Sequence, residues 1–163
     1  MKNGLEPIVF NDSKVLILGS LPSDKSIENK KYYDNNRNQF WNILSFVFEG
    51  ESIQFNSYEQ KIEFLKKHHI ALWDVIKCAK RKGSLDINIS DEEFNDILGL
   101  IEKYNIKYVF VNGQKAAKSF RKYLWMNKCN KDYVCLPSSS SANTFYNLNE
   151  KKYLWLKLFK TCL

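Results

Sequence analysis

Hydrophobic and polar positions along this chain fall into blocks whose period changes. Lys14-Val-Leu-Ile-Leu18, apolar after its first residue and closed by Gly19, is the pattern of a buried strand feeding a loop. Ser20 to Asn38 has no clear period, is rich in Asn and contains Pro22, so it reads as one long loop. Loops of that length inside compact domains are usually functional. A 3.6-residue period resumes at Gln39 and runs to about Phe48, with Phe40, Ile43, Leu44 and Val47 on one face and Asn38 placed as N-cap.

Ser57 and Gln60 are spaced as a capping box and open a helix to His68. Ile70–Ile76 is a short apolar strand, followed by the polar turn Lys80–Ser84. Ser90-Asp-Glu-Glu93 has the same capping-box spacing, which predicts a helix with Phe94, Ile97, Leu98 and Ile101 on its buried face. Tyr108–Val111 is a buried strand, and Asn112-Gly113 turns into a helix from about Gln114 to Trp125. Tyr133–Leu136 is the last strand, ended by Pro137, and a final helix covers about Asn149 to Lys160. Strands alternating with helices predict an α/β fold, a single three-layer α/β/α domain over residues 1–163 with a central, mainly parallel sheet. Ligands of such sheets lie beyond the carboxyl ends of the strands. That rule selects three loops: Gly19–Asn38, Lys77–Asn88 and Pro137–Asn147.

Composition changes this picture in two places. Lys and Arg outnumber Asp and Glu by 25 to 18, a net charge of +7 compatible with a polyanionic partner. A generally Lys- and Asn-rich composition accounts for the same excess without one. Cys78, Cys129, Cys135 and Cys162 form no C-x-x-C pair, and His68-His69 at a helix end suits the helix dipole better than catalysis. Free thiols, no bound metal and no cofactor are expected. No apolar run approaches membrane-spanning length, so a soluble, cytoplasmic protein without membrane partners is expected.

The chemistry-bearing residues sit on the three selected loops. Gly19-Ser-Leu-Pro-Ser23, Tyr32-Tyr33 and Asn36-Arg-Asn-Gln-Phe-Trp41 form one group. Leu72-Trp-Asp-Val75 with Arg81–Asp86, Val111-Asn-Gly113, and Leu136-Pro-Ser-Ser-Ser-Ser-Ala-Asn143 follow in order. Together they resemble the uracil-DNA glycosylase superfamily, on the branch joining the mismatch-specific enzymes to the hypoxanthine (deoxyinosine) DNA glycosylases. The resemblance implies an enzyme that acts as a monomer on double-stranded DNA containing a damaged or mismatched base. It would flip that base and hydrolyse its N-glycosidic bond without a metal, leaving an abasic site.

The resemblance also implies residue roles. Tyr33 is the aromatic that would stack on the flipped base, with Gly19, Ser20, Leu21, Phe40 and Asn112 completing the base pocket. Leu21 stands where the uracil-specific branch has a carboxylate and the mismatch branch an Asn, and it can do neither job. Asn38 matches the catalytic Asn of the hypoxanthine branch and would position water, a role compatible with capping the helix. Asp74 would accept from a purine edge or hold a water; a loop cap or a partner for Arg81 is the alternative. DNA contacts would come from Ser23, Arg37, Lys82 and the second-motif residues Pro137, Ser138, Ser139, Ser140, Ser141 and Asn143. Two positions depart from the hypoxanthine pattern. Asn35-Asn36 replaces a His-Pro, and Ser141 replaces a Pro, a change expected to loosen the last loop. Uracil or thymine mismatch excision, or nucleic-acid binding without catalysis, are the alternative functions.

Overall fold

The computed structural model describes residues 1–163. The chain opens with β1 (Lys2–Asn3), enters β2 (Val15–Gly19), and then passes through α1 (Asp24–Asn29) and α2 (Phe40–Glu49). Next come α3 (Tyr58–Lys67), β3 (Ile70–Asp74), β4 (Ile76–Lys80) and β5 (Ser90–Phe94). It finishes with α4 (Ile97–Tyr104), β6 (Tyr108–Asn112), α5 (Gln114–Met126), β7 (Val134–Leu136) and α6 (Leu148–Cys162).

Four strands form a parallel sheet in the order β3-β2-β6-β7. Alternate residues of these strands point to opposite faces, and two cores result. Val15, Ile17, Ile70, Leu72 and Phe110 pack under α2, α3 and α6. Leu16, Leu18, Ala71, Val109 and Val111 pack under α4 and α5. The layers are therefore helix, sheet and helix, as the alternation of strands and helices predicts. β2 lies where successive crossovers run to opposite sides, β3 on one and β6 on the other. Such a switch point leaves a crevice at the carboxyl ends of the central strands. The residues at those ends are Gly19, Asp74, Asn112 and Leu136, with Gly19 opposite Asp74 and Asn112 opposite Leu136.

Several local expectations fail. Ser90–Phe94 is not a helix start but β5, antiparallel to β4, with Ile76 opposite Phe94 and Lys80 opposite Ser90. Glu93 faces Cys78 across the ladder, and Glu92 reaches Lys115 on α5. These distant partners outweigh the local capping pattern; the working cap is Asp96, whose carboxylate accepts from the Gly99 N–H. The apolar run Ile70–Ile76 is not one strand, because the chain leaves the parallel sheet after Asp74 and joins the small antiparallel sheet β1-β4-β5. Nor is Ser20–Asn38 an unbroken loop: Ser23 caps the short α1 by accepting from the Ser26 N–H. At α3, Ser57 caps as expected, but the Gln60 side chain accepts from Asn56 rather than closing the box on Ser57.

Candidate active site

A cavity of about 730 Å³ lies over the carboxyl ends of the parallel strands. It gathers most of the residues singled out by sequence. Gly19, Ser20, Leu21, Ser23, Tyr33, Arg37 and Asn38 line one side; Asp74, Asn112, Ser138 to Ser141 and Asn143 complete it. Phe40, Lys82 and Pro137 do not line it. Phe40 is fully buried and lies flat against Tyr33, ring centroids 3.8 Å apart at 11°, so it supports the pocket ring and cannot meet a base itself. Lys82 is exposed outside the cavity, and Pro137 turns its carbonyl to the Trp155 indole N–H at 2.8 Å.

Asn38 is held by one end of its amide. Its Oδ1 accepts from the Phe40 N–H at 3.0 Å and from the Ser139 hydroxyl at 2.8 Å. The first contact orders the entry to α2, although the N-cap position itself belongs to Gln39. Two donors at one oxygen fix which end of the amide is the carbonyl. The NH₂ is left as the end free to work in the cavity. Ser139 also accepts from Asn112 Nδ2 at 2.8 Å and donates its own N–H to Asn112 Oδ1 at 3.0 Å. Asn112, Ser139 and Asn38 thus form one directed hydrogen-bond chain across three loops.

Tyr33 adopts φ +52°, a left-handed conformation unusual for an aromatic residue. Its hydroxyl accepts from Asn112 Nδ2 at 3.3 Å, and burial together with the nearby Asp74 keeps the phenol protonated. Gly19 makes room beneath it: a Cβ there would lie 2.4 Å from Asp74 Oδ1 and 3.1 Å from the Tyr33 hydroxyl. Leu21 is packed against Ile76 and Ala79, consistent with an inert side chain at that position.

Asp74 is only 4% exposed, and its Oδ2 has no hydrogen-bond partner. Burial is the main reason its pKa is pushed up to about 7, with the Asp86 charge adding to the rise and Arg81 opposing it. Arg81 is not its ion-pair partner; that guanidinium pairs with Asp24 at 3.2 Å. Asp86 accepts from the Ser20 hydroxyl at 2.6 Å, and burial of its carboxyl raises its pKa too. Because the folded chain holds the Asp74 proton more tightly than the unfolded chain, folding stability falls as pH rises from about 4 through about 7. Asp74→Asn is therefore expected to melt at a higher temperature than the parent at pH 8, by about 3 °C or more. The gap should nearly vanish at pH 4. Melting curves at the two pH values check this, and an equal gap at both would contradict it.

Sequence reasoning missed two features. Leu85 and Ile87, 53% and 88% exposed, stand on the cavity rim beside Asp86. Isolated apolar residues in a polar loop were the available signal. Lys151 is buried, 1% exposed, and donates to Gln39 Oε1 at 3.0 Å and the Ser140 carbonyl at 3.1 Å. Its desolvated ammonium titrates below the usual lysine range. The signal was its place on the apolar face of α6, four and eight residues before Trp155 and Phe159. Lys151 braces the last loop, where Ser141 replaces a Pro. The ammonium and Trp155 tie down its backbone, while the Ser138 and Ser140 hydroxyls accept from the N–H groups of Ser140 and Ala142.

The uracil DNA glycosylase superfamily model matches residues 7–159, nearly the whole chain. The chain belongs to the uracil DNA glycosylase superfamily. It is 38% identical over 161 residues to a protein of Methanosarcina acetivorans named hypoxanthine DNA glycosylase, covering 98% of this chain and 99% of that one. A protein of the same name from Methanosarcina barkeri is 38% identical over 160 residues, covering 98% of each. A solution NMR structure of a Methanosarcina acetivorans protein superposes with a TM-score of 0.77. It shares 38% identity, covering 97% of this chain and 98% of its own. No helix of the protein is long and apolar enough to cross a membrane.

Proposed function

We propose that this protein is a monofunctional DNA glycosylase, acting as a single-domain monomer, that removes hypoxanthine from duplex DNA. The observation that carries the mechanism is the anchored Asn38 amide, with its carbonyl held by Phe40 and Ser139 and its NH₂ free beside Tyr33. Its relatives named hypoxanthine DNA glycosylase support the choice of base.

Extruding a base costs a few kcal/mol, which pocket stacking and hydrogen bonds must offset. Tyr33, backed by Phe40, offers its other face to the base and forms a three-layer stack. Cleavage of the N-glycosidic bond places positive charge on the sugar and negative charge on the departing base. Such a cation needs a well-placed water more than a strong base, and the Asn38 NH₂ holds that water by its oxygen. Arg37 and the Ser138–Asn143 loop grip the backbone beside the extruded nucleotide, helped by the +7 charge. Ser23 contributes at the cavity wall and Lys82 outside it. Lys151 does not line the cavity and both its contacts are structural, so no Schiff base forms and an abasic site is left.

Labelled duplexes carrying inosine, U·G or T·G, incubated with the protein and then treated with alkali, test this reading. Scission of the inosine strand is expected. Scission of U·G or T·G alone would transfer the function to uracil or mismatch repair, and binding without scission would leave a non-catalytic domain. Tyr33→Ala is expected to weaken single-turnover excision about 10-fold or more through lost stacking. An unchanged rate would reduce Tyr33 to loop packing.

A further inference from the structure

We infer that the Asp74 carboxylate reads deamination itself, by accepting the ring N–H that loss of an amino group creates on a base. This deepens the glycosylase reading and rests on it. Hydrolytic deamination converts the amidine edge of adenine or cytosine to the lactam edge of hypoxanthine or uracil. The exocyclic donor becomes a carbonyl, and the neighbouring ring nitrogen changes from acceptor to N–H donor. A pocket that separates parent from product therefore needs an acceptor at that nitrogen.

Hydrogen-bond accounting leaves Asp74 as the group with that capacity. Asn112 has both amide hydrogens engaged, with Ser139 and Tyr33, and its oxygen accepts from the Ser139 N–H. The Asn38 oxygen accepts twice, and Asp86 accepts from Ser20 at one oxygen and, on the exposed rim, leaves the other to solvent. Asp74 stands on the end of β3 at the cavity floor, buried; neither carboxyl oxygen has a donor, Oδ2 is sealed off, and Oδ1, beside the bare Cα of Gly19, is the one a base edge can reach. Leaving a buried carboxyl without donors is costly, and a substrate N–H supplies what the protein withholds. The raised pKa agrees with this state of the empty site, and a bound N–H favours the ionised form. An amidine-type base would instead aim a ring lone pair at the carboxylate, and the ionised form, which prevails above pH 7, repels it.

The test uses inosine and nebularine, a purine nucleoside that lacks the ring N–H and the carbonyl, placed at the same site in one duplex. Asp74→Ala is expected to lower single-turnover excision of hypoxanthine about 10- to 100-fold more than excision of purine, the effect of one charge-assisted hydrogen bond. Asp74→Asn, which keeps an acceptor but not the charge, should fall between. Equal losses on the two substrates would assign Asp74 to the common chemistry or to folding and overturn the inference, as would no loss on either. Binding in the Asn38→Ala background provides a second readout independent of cleavage. Inosine preference there should disappear when Asp74→Ala is added, and its persistence overturns the inference. If the parent protein cleaves neither strand, the glycosylase reading fails, while the binding comparison still decides the role of Asp74.

Discussion

Asn38→Ala is expected to lower single-turnover excision of hypoxanthine by about 10²-fold or more, the usual cost of removing one preorganised donor at a reacting centre. Binding of the inosine duplex should change far less, because Tyr33, Asp74 and the serine loop remain. Alanine also releases the Phe40 N–H and the Ser139 hydroxyl, so Asn38→Asp is the sharper variant. Aspartate retains an oxygen for both donors and exchanges the NH₂ for a charged acceptor oxygen. If the NH₂ is the working end, the aspartate variant falls nearly as far as alanine. An aspartate variant as fast as the parent, or faster, would show instead that an acceptor at this position does the work.

The largest loss of stability is expected at Arg81. Its side chain is wholly buried, and its guanidinium donates to the carbonyls of Gly83, Leu21 and Pro22 while pairing with Asp24. One fork thus joins the strand-end loop after β2 to the loop after β4. Arg81→Ala leaves the Leu21 and Pro22 carbonyls without donors in a buried space, while the half-exposed Asp24 keeps Lys2 as its partner. A loss of about 2–5 kcal/mol is expected from the two unpaired carbonyls, lowering the melting temperature by roughly 10 °C. Arg81→Lys keeps the charge but cannot make the planar fork, and should recover only part of that loss. A melting temperature within about 2 °C of the parent for Arg81→Ala would remove this keystone role. Arg81 also lowers the Asp74 pKa, so its loss should move the Asp74 titration upward.

The alternation of apolar strands with amphipathic helices was readable along the chain because each element buries a face set by its own periodicity. Buried parallel strands such as Val15–Gly19 and Tyr108–Asn112 leave an unmistakable apolar run. Loops after such strands meet at one end of the sheet whatever their internal conformation, so most of the cavity-lining residues could be named. What local pattern misjudged was decided by partners distant in sequence. Ser90–Glu93 carries a helix-start spacing, yet lies in a strand because β4 offers it a ladder. Phe40 was placed in the base pocket, but a helix turn directs it behind Tyr33.

By itself, then, the sequence determined the layered α/β architecture, the superfamily and the end of the sheet where the cavity lies, since periodicity and strand-end loops are local properties of the chain. Tertiary structure alone decided how each polar group is used. It gave the Asn38 oxygen to Ser139, 101 residues away, spent both Asn112 amide hydrogens on the cavity wall, and buried Lys151 under the last loop. It also left the Asp74 carboxyl without a donor at the cavity floor. Hydrogen-bond capacity is exhausted or left open only when distant segments meet, so the division between structural and working groups is settled in three dimensions.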